Sequence, residues 1–243
     1  MSAEKTPTPD FESAAARPGR RTPLIVAAVA IVAALGITAA VALGGNDDKP
    51  SNTGSSSIAE VSGGSDSTKA ATVLDRPFTK PSLVLTDTKG EKYDLRERTK
   101  GRPTLIYFGY THCPDVCPMT MSNIAIAMKQ LPKADQEKLQ VILVTTDPER
   151  DTPAELGKWL PAAGDPSFIG LTGEFSTIQA GARSMGIGID PPKKENGNVV
   201  SMHGAQVIAF SPTTDQGYVL YGEDTTVEDY AKDLPKLIKG ENP

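Results

Sequence analysis

Residues 103–118 read PTLIYFGYTHCPDVCP, and this stretch decides the fold that the rest of the chain completes. Its first half is an apolar run of the kind that forms a strand buried on both faces of a sheet. The run leads into Cys113 and Cys117, the only cysteines of the chain, and helix signals follow them. This arrangement predicts a ligand site at the end of a central strand, beside a helix N-terminus.

The rest of the sequence alternates strands and helices. A second buried strand is predicted at 140–146, and hairpins at 82–86 with 92–95 and at 206–210 with 217–221. Helices are predicted at 119–131, at 153–160, at 175–185 and between Thr225 and Gly240. This order indicates an α/β domain of thioredoxin type.

Helix-capping residues predict where two of these helices begin. Thr152 and Glu155 form one capping box, with a proline at the first helical position. Thr225 and Glu228 form another, and Pro235 is expected to kink that last helix.

Composition excludes several classes of protein. The net charge of −5, without clustered Lys and Arg, offers no basic surface for nucleic acid, so no nucleic-acid partner is expected. Two cysteines in 243 residues exclude a small domain held together by disulfides.

The N-terminal region is predicted to anchor the chain in a membrane. Residues 23–43 are apolar or small over a length that can cross a bilayer, and Arg17, Arg20 and Arg21 precede them. The positive-inside rule then places residues 1–22 in the cytoplasm and the C-terminal part outside, at the cell membrane. A cleaved signal peptide is the alternative, but the apolar run is longer than a typical signal sequence.

A flexible linker and one globular domain are expected after this anchor. Residues 44–72 are rich in Gly, Ser, Asp, Asn and Thr and hold few large apolar side chains, so they form no core. Residues 73–243 are predicted to form the domain.

The cysteine pair has three possible uses. With four-residue spacing on a helix, the two sulfurs share one face and could form a disulfide, a redox dithiol or a metal site. A nearby helix N-terminus favours the thiolate over the thiol. A disulfide closing so short a loop adds little stability, so its position argues against a purely structural role.

A soft metal ion would need a third ligand, and the chain has two histidines. His112 directly precedes Cys113, so its side chain is expected to point away from the shared face of the sulfurs. His203 lies just before a predicted strand, where it could be a ligand or an ordinary loop residue. Spacing alone does not decide between these roles.

Two motifs resemble those of one family. Residues 107–118, YFGYTHCPDVCP, are similar to the signature of the Sco/SenC copper proteins, and residues 146–153, TDPERDTP, resemble that family's second motif. The resemblance spans about residues 73–240, with both motifs in the same order.

The resemblance implies a thioredoxin-like fold and a copper site formed by Cys113, Cys117 and His203. Two thiolates and an imidazole suit Cu(I) and tolerate Cu(II). The family usually has an acidic residue before the histidine, whereas this chain has Met202. A carboxylate there could orient the imidazole, so its replacement is expected to alter affinity.

Other residues near the motifs are expected to be structural. Asp147 and Asp151 are predicted to be turn and cap groups, with a role beside the copper loop as the alternative. Core packing is predicted for three further side chains, Met119, Met121 and Trp159.

Two functions remain open at this point. The resemblance implies a non-enzymatic copper chaperone for cytochrome c oxidase subunit II or another copper-site client, supplied by an upstream donor protein. The alternative is a thiol–disulfide oxidoreductase that reduces the client's metal-binding cysteines through Cys113 and Cys117.

Overall fold

The computed structural model describes residues 71–195, 198–201 and 204–243, which form a sheet with helices on both faces. The eight-stranded sheet has the order β1-β10-β9-β4-β5-β6-β2-β3, and β7 pairs with β8 as a separate hairpin. The three strands β4, β5 and β6 are parallel, while β9 runs antiparallel to β4. This architecture agrees with the predicted α/β class.

The strands are short, apart from the first. Their bounds are β1 Ala71–Thr79, β2 Val84–Asp87, β3 Lys92–Asp94, β4 Thr104–Gly109, β5 Gln140–Thr145, β6 Ile169–Thr172, β7 Lys193–Glu195, β8 Asn198–Val200, β9 Val207–Phe210 and β10 Gln216–Tyr221.

Six helices accompany these strands in the described part of the chain. They are α1 Leu95–Arg98, α2 Val116–Lys129, α3 Lys133–Gln136, α4 Pro153–Ala163, α5 Phe175–Ser184 and α6 Val227–Lys239.

Alternate residues of β4 serve two hydrophobic cores, one on each face of the sheet. Leu105 and Tyr107 pack into the core that contains α2, α4 and α6, together with both cysteines. Ile106 and Phe108 pack into the core formed with α1 and α5. Because successive side chains of a strand point to opposite faces, a continuous apolar run is required here.

Three helix boundaries differ from the predicted ones. Helix α2 begins at Val116, three residues early, so Cys117 lies in its first turn and Cys113 lies in the preceding loop. Helix α4 continues through Pro161 to Ala163, three residues beyond its predicted end. The cap of α6 is Thr226 with Asp229, because the Thr225 hydroxyl donates instead to the Gly222 carbonyl.

Several elements are absent from the sequence prediction. They include β1 and β6, the β7–β8 hairpin and the single-turn helices α1 and α3. Strand β6 has only four residues and shows no alternation of polar and apolar side chains. Its pairing with β5 holds it in the sheet.

The predicted anchor and residues 44–70 of the predicted linker lie outside the described residues, whereas Ala71 and Thr72, also predicted as linker, belong to β1 and pair with β10. Among the residues that are described, no helix has the length and apolar character needed to cross a membrane.

A buried carboxylate on α6 makes stability depend on pH. Asp233 is buried, and its carboxylate accepts a hydrogen bond from the Tyr221 hydroxyl at 3.3 Å. Burial raises the pKa of Asp233 above its ordinary value, although the hydrogen bond from Tyr221 opposes this shift. A raised folded-state pKa means that Asp233 favours the folded state in acid, and that this contribution is lost as the pH rises through that pKa.

Asp233→Asn is therefore expected to raise the melting temperature by a few degrees at pH 7, because it removes the cost of ionising a buried carboxyl. The difference should vanish near pH 3, below the ordinary Asp pKa of about 3.9, where both states are protonated. Thermal unfolding at the two pH values measures this. Glu223→Gln, at an exposed position, is the matched control. A lower melting temperature for Asp233→Asn at pH 7 would contradict the assignment.

Candidate metal centre

Three loops meet at one edge of the sheet. Strands β4 and β5 are parallel, so the loops that follow Gly109 and Thr145 leave the sheet side by side. Strand β9 is antiparallel to β4, with Val207 opposite Tyr107, so the segment before Val207 enters at the same edge. Sheet topology thus brings together both sequence motifs and the approach to β9.

The two cysteines lie in contact at this edge. Cys113 is in the loop and Cys117 is in the first turn of α2, and the Cys117 backbone N–H donates to Cys113 Sγ at 3.4 Å. No disulfide joins them, and 7% of Cys113 and none of Cys117 is exposed. The two sulfurs therefore lie on one face, but Cys113 reaches that face from the loop and not from the helix. Cys113 is the more accessible of the two.

Cys117 is enclosed by groups from β4. The Tyr107 hydroxyl donates a hydrogen bond to Cys117 Sγ at 3.3 Å. Gly109 leaves the space that the sulfur fills, since a Cβ there would lie 2.9 Å from Cys117 Sγ and 2.7 Å from Tyr107 Cε1. These close contacts require glycine at position 109.

The expectation of a thiolate is wrong for Cys117. Burial raises the pKa of the Cys117 thiol to about 12, even though hydrogen bonds from Tyr107 and from the Tyr110 backbone favour the charged form. Burial destabilises the charged sulfur by more than these hydrogen bonds and the helix N-terminus stabilise it. Copper binding at Cys117 must therefore displace its proton.

Two tyrosines beside the cysteines keep their protons. Burial raises the pKa of Tyr107 far above its ordinary value, and ionisation of the neighbouring Cys117 would raise it further. Burial also raises the pKa of Tyr110, and the nearby Cys113 adds to the effect. Both hydroxyls therefore keep their protons at physiological pH, and Tyr107 donates a hydrogen bond to Cys117 Sγ.

Asp151 ties the cysteine loop to the second motif. Its fully buried carboxylate accepts hydrogen bonds from the Thr111 N–H at 2.9 Å, the Thr111 hydroxyl at 2.5 Å and the Thr145 hydroxyl at 2.6 Å. This agrees with the alternative expectation for Asp151, a role beside the copper loop. Asp147 is also buried, and its carboxylate pairs with Arg150 within the same loop.

A second set of contacts fastens the segment before β9. The Ser201 hydroxyl donates to the Thr146 carbonyl at 2.9 Å and lies 3.0 Å from the Thr146 hydroxyl. The Ser201 backbone also forms a hydrogen bond with Tyr110. The second motif thus holds the cysteine loop through Asp151 and the Ser201 segment through Thr146.

His203 and Met202 lie outside the described residues, so the assignment of His203 as the third ligand remains a prediction. The flanking residues Ser201 and Gly204 are described, and both are buried. Within the described residues, no group of three or more His, Cys, Asp or Glu side chains is arranged to hold a metal ion.

His112 is a neighbour of Asp151. Its Nδ1 atom lies 3.0 Å from the Thr111 hydroxyl oxygen and 3.7 Å from Asp151 Oδ1, and about half of its side chain is exposed.

The predicted packing roles fit two of three side chains. Met121 is fully buried, and Trp159 packs against the core that contains the cysteines. Met119 is 44% exposed, contrary to expectation, because the earlier start of α2 turns this position towards solvent.

Sequence reasoning missed Tyr107, Thr111 and Ser201. One signal was available for Tyr107, which lies two residues before Gly109 on the strand and must therefore face the same side of the sheet. Thr111 and Ser201 contact partners 40 and 55 residues away, and no local pattern reports such pairs.

The model of the SCO1/SenC family matches residues 71–239, well over half of the chain. The chain belongs to the SCO1/SenC family. This assignment agrees with the two motifs, and it explains why their loops meet at one edge of the sheet.

Named relatives support the assignment of this SCO1/SenC protein. A Stutzerimonas stutzeri protein named "Putative copper-binding protein" is 35% identical over 142 residues, which cover 58% of this chain and 68% of that protein. Mitochondrial protein SCO2 of Saccharomyces cerevisiae is 32% identical over 109 residues, covering 45% of this chain and 36% of the yeast protein. The chain thus matches only about a third of the length of the yeast relative.

A solved structure shares the fold. ScoI of Bradyrhizobium japonicum with copper bound is 31% identical, with a TM-score of 0.56 and coverage of 67% of this chain and 98% of that one. The fold of this SCO1/SenC protein is therefore the α/β, thioredoxin-like fold of the Sco proteins, as predicted.

Asp151→Ala is expected to lower the free energy of unfolding by about 3 kcal/mol, because it leaves one buried donor, on Thr145, and two partly buried donors, on Thr111, without their charged acceptor. Urea unfolding measures the loss. Asp135→Ala is the matched control, since it removes an exposed carboxylate paired with Lys138 and should cost less than about 1 kcal/mol. Equal losses in the two variants would show that Asp151 does not tie the loops together.

Proposed function

We propose that this chain is a copper chaperone that binds one copper ion through Cys113, Cys117 and His203. The observation that carries this proposal is the Cys113/Cys117 pair at the sheet edge, where the Cys117 N–H donates to Cys113 Sγ and no disulfide joins the pair, in a chain that belongs to the SCO1/SenC family. The similar ScoI of Bradyrhizobium japonicum has a structure with copper bound. Thiolate and imidazole ligands are those that Cu(I) prefers.

The path of the chain before β9 supports His203 as the third ligand. Val207 pairs with Tyr107, and Ser201 is hydrogen-bonded to Thr146 in the loop beside the cysteines. The segment that contains His203 is therefore fastened at both ends near the cysteine edge. A ligand from this segment would complete a three-coordinate site.

Copper is the cargo in this proposal, and delivery proceeds by ligand exchange. Incoming ligands of the client replace the three protein ligands one at a time, so no free ion is released. The exposed part of Cys113 and its half-exposed neighbour His112 lie on the open side of the pair, where a client can approach. The proposed client is cytochrome c oxidase subunit II or another copper-site protein, and an upstream donor protein supplies the metal.

The proposed location is the outer face of the cell membrane. Residues 23–43 form the proposed anchor and residues 44–70 the linker to a domain that begins with β1 at Ala71. A flexible linker of this kind raises the effective concentration of the domain near a membrane-bound client.

Copper titration of the full chain tests the ligand set. The reduced wild-type protein is expected to retain one Cu(I) per chain after desalting, as measured by metal analysis. Cys113→Ser, Cys117→Ser and His203→Ala should each lose the copper, because each variant removes one of the three ligands on which retention is proposed to depend. His112→Ala is the matched control and should retain it. Full retention by His203→Ala would exclude the three-ligand site.

A thiol–disulfide oxidoreductase is the second candidate function, favoured by the closeness of the two cysteines, since the Cys117 backbone N–H donates to Cys113 Sγ and no disulfide joins the pair. In that reaction the partially exposed Cys113 attacks the client's disulfide and the buried Cys117 resolves the mixed disulfide. The two cysteines become a disulfide, and the client gains two electrons and two protons.

His203→Ala separates the two functions. A reductase has no need for His203, so the variant should reduce an oxidised peptide with two client-like cysteines at the wild-type rate, measured by thiol release. Cys113→Ser should abolish this activity. A wild-type protein that retains copper but does not reduce the peptide would exclude the second candidate.

A further inference from the structure

The hydrogen bond from Tyr107 to Cys117 lies inside the core, on the side of the sulfur away from solvent. Tyr107 is 1% exposed and Cys117 is fully buried, and the hydroxyl oxygen lies 3.3 Å from Sγ. Tyr107 is held by β4, in register with Val207 of β9 on one side and Leu143 of β5 on the other. The sheet therefore fixes the backbone that carries this hydroxyl.

A second hydroxyl directs the tyrosine proton towards the sulfur. Thr120, one helical turn after Val116 and almost fully buried, donates a hydrogen bond towards the Tyr107 oxygen. With its oxygen accepting from Thr120, Tyr107 has its own proton available for Cys117. Hydrogen bonds in such a chain strengthen one another in a medium of low polarity.

The two sulfurs consequently have different surroundings. Cys117 accepts from the Tyr107 hydroxyl and from the Tyr110 backbone, both supplied by the end of β4 and its loop. Cys113 accepts from the Cys117 N–H and lies nearer to solvent. The Tyr107 hydroxyl in the core therefore donates its hydrogen bond to Cys117, the inner member of the pair.

We propose that Tyr107 is a positioning residue that weakens Cys117 as a copper ligand, thereby favouring Cu(I) over Cu(II) and easing release of the metal. The inference rests on the proposed copper-binding function. A hydrogen bond to a thiolate draws electron density from the sulfur, which reduces its donation to the metal. The loss matters more for Cu(II) than for Cu(I), because the higher charge depends more on that donation.

The hydrogen bond from Tyr107 would also ease the release of copper to a client. Ligand exchange requires the protein's sulfurs to leave the metal in turn, and a sulfur that keeps a strong donor after departure leaves more readily. Tyr107 supplies such a donor to Cys117 without moving. The buried cysteine, which has no water to solvate it, can then be displaced from copper.

Tyr107→Phe in the full chain tests this inference, because it removes the hydroxyl and preserves the ring. The ratio of the Cu(II) to the Cu(I) binding constant is expected to rise about tenfold, the effect of one hydrogen bond to a charged sulfur. The sulfur-to-Cu(II) charge-transfer band should move to longer wavelength. Transfer of Cu(I) to a coloured chelator, followed by stopped flow, should become several times slower.

Tyr221→Phe is the matched control. It removes another buried tyrosine hydroxyl on the same side of the sheet, one that donates to Asp233 and not to a cysteine. This variant should leave the ratio, the band and the transfer rate unchanged. Thr120→Val, which removes the donor to Tyr107, should shift all three measurements in the direction of Tyr107→Phe but by less.

Three outcomes would overturn the inference. They are wild-type values for Tyr107→Phe, equal changes in Tyr221→Phe, and, should Tyr107→Phe fail to fold, a Thr120→Val protein with wild-type copper properties. These results differ from failure of the proposed function. In that case the wild-type chain itself would not retain copper, whereas here every variant binds the metal and only its preference and release rate are measured.

Discussion

The parallel pairing of β4 with β5 is the constraint on which the candidate site depends. Parallel neighbours end at the same edge of a sheet, so the loops after Gly109 and Thr145 leave side by side although about 35 residues separate them in sequence. Only this arrangement lets the buried Asp151 carboxylate reach the Thr111 backbone and hydroxyl. Without the pairing, the cysteine loop would lose its main connection to the second motif.

Burial dominates the chemistry of the inner cysteine. The helix N-terminus and two hydrogen bonds favour a thiolate at Cys117, but the cost of removing that charge from water is larger and the thiol keeps its proton. A site built this way is closed to nonspecific reaction at Cys117. Access is left to Cys113, at the rim, and a metal ion can supply the positive charge that the buried sulfur lacks.

The local elements around the site were largely predictable. The apolar run before Cys113 predicted β4 because it must serve two cores, and the run at 140–146 predicted β5 for the same reason. The start of α2 was placed too late, because Val116 and Cys117 have no strong helix signal of their own. Strand β6 was missed because four residues show too little pattern, and its pairing with β5 and β2 holds it in the sheet.

The sequence by itself determined the α/β class, the nearness of Cys113 to Cys117 and the family, since these depend on local spacing and motif order. Only the tertiary structure decided which groups surround the sulfurs. Tyr107 reaches Cys117, and Ser201 reaches Thr146, because strand register and loop paths bring them together. Such contacts join residues that share no local pattern, so their partners become visible only when the sheet is assembled.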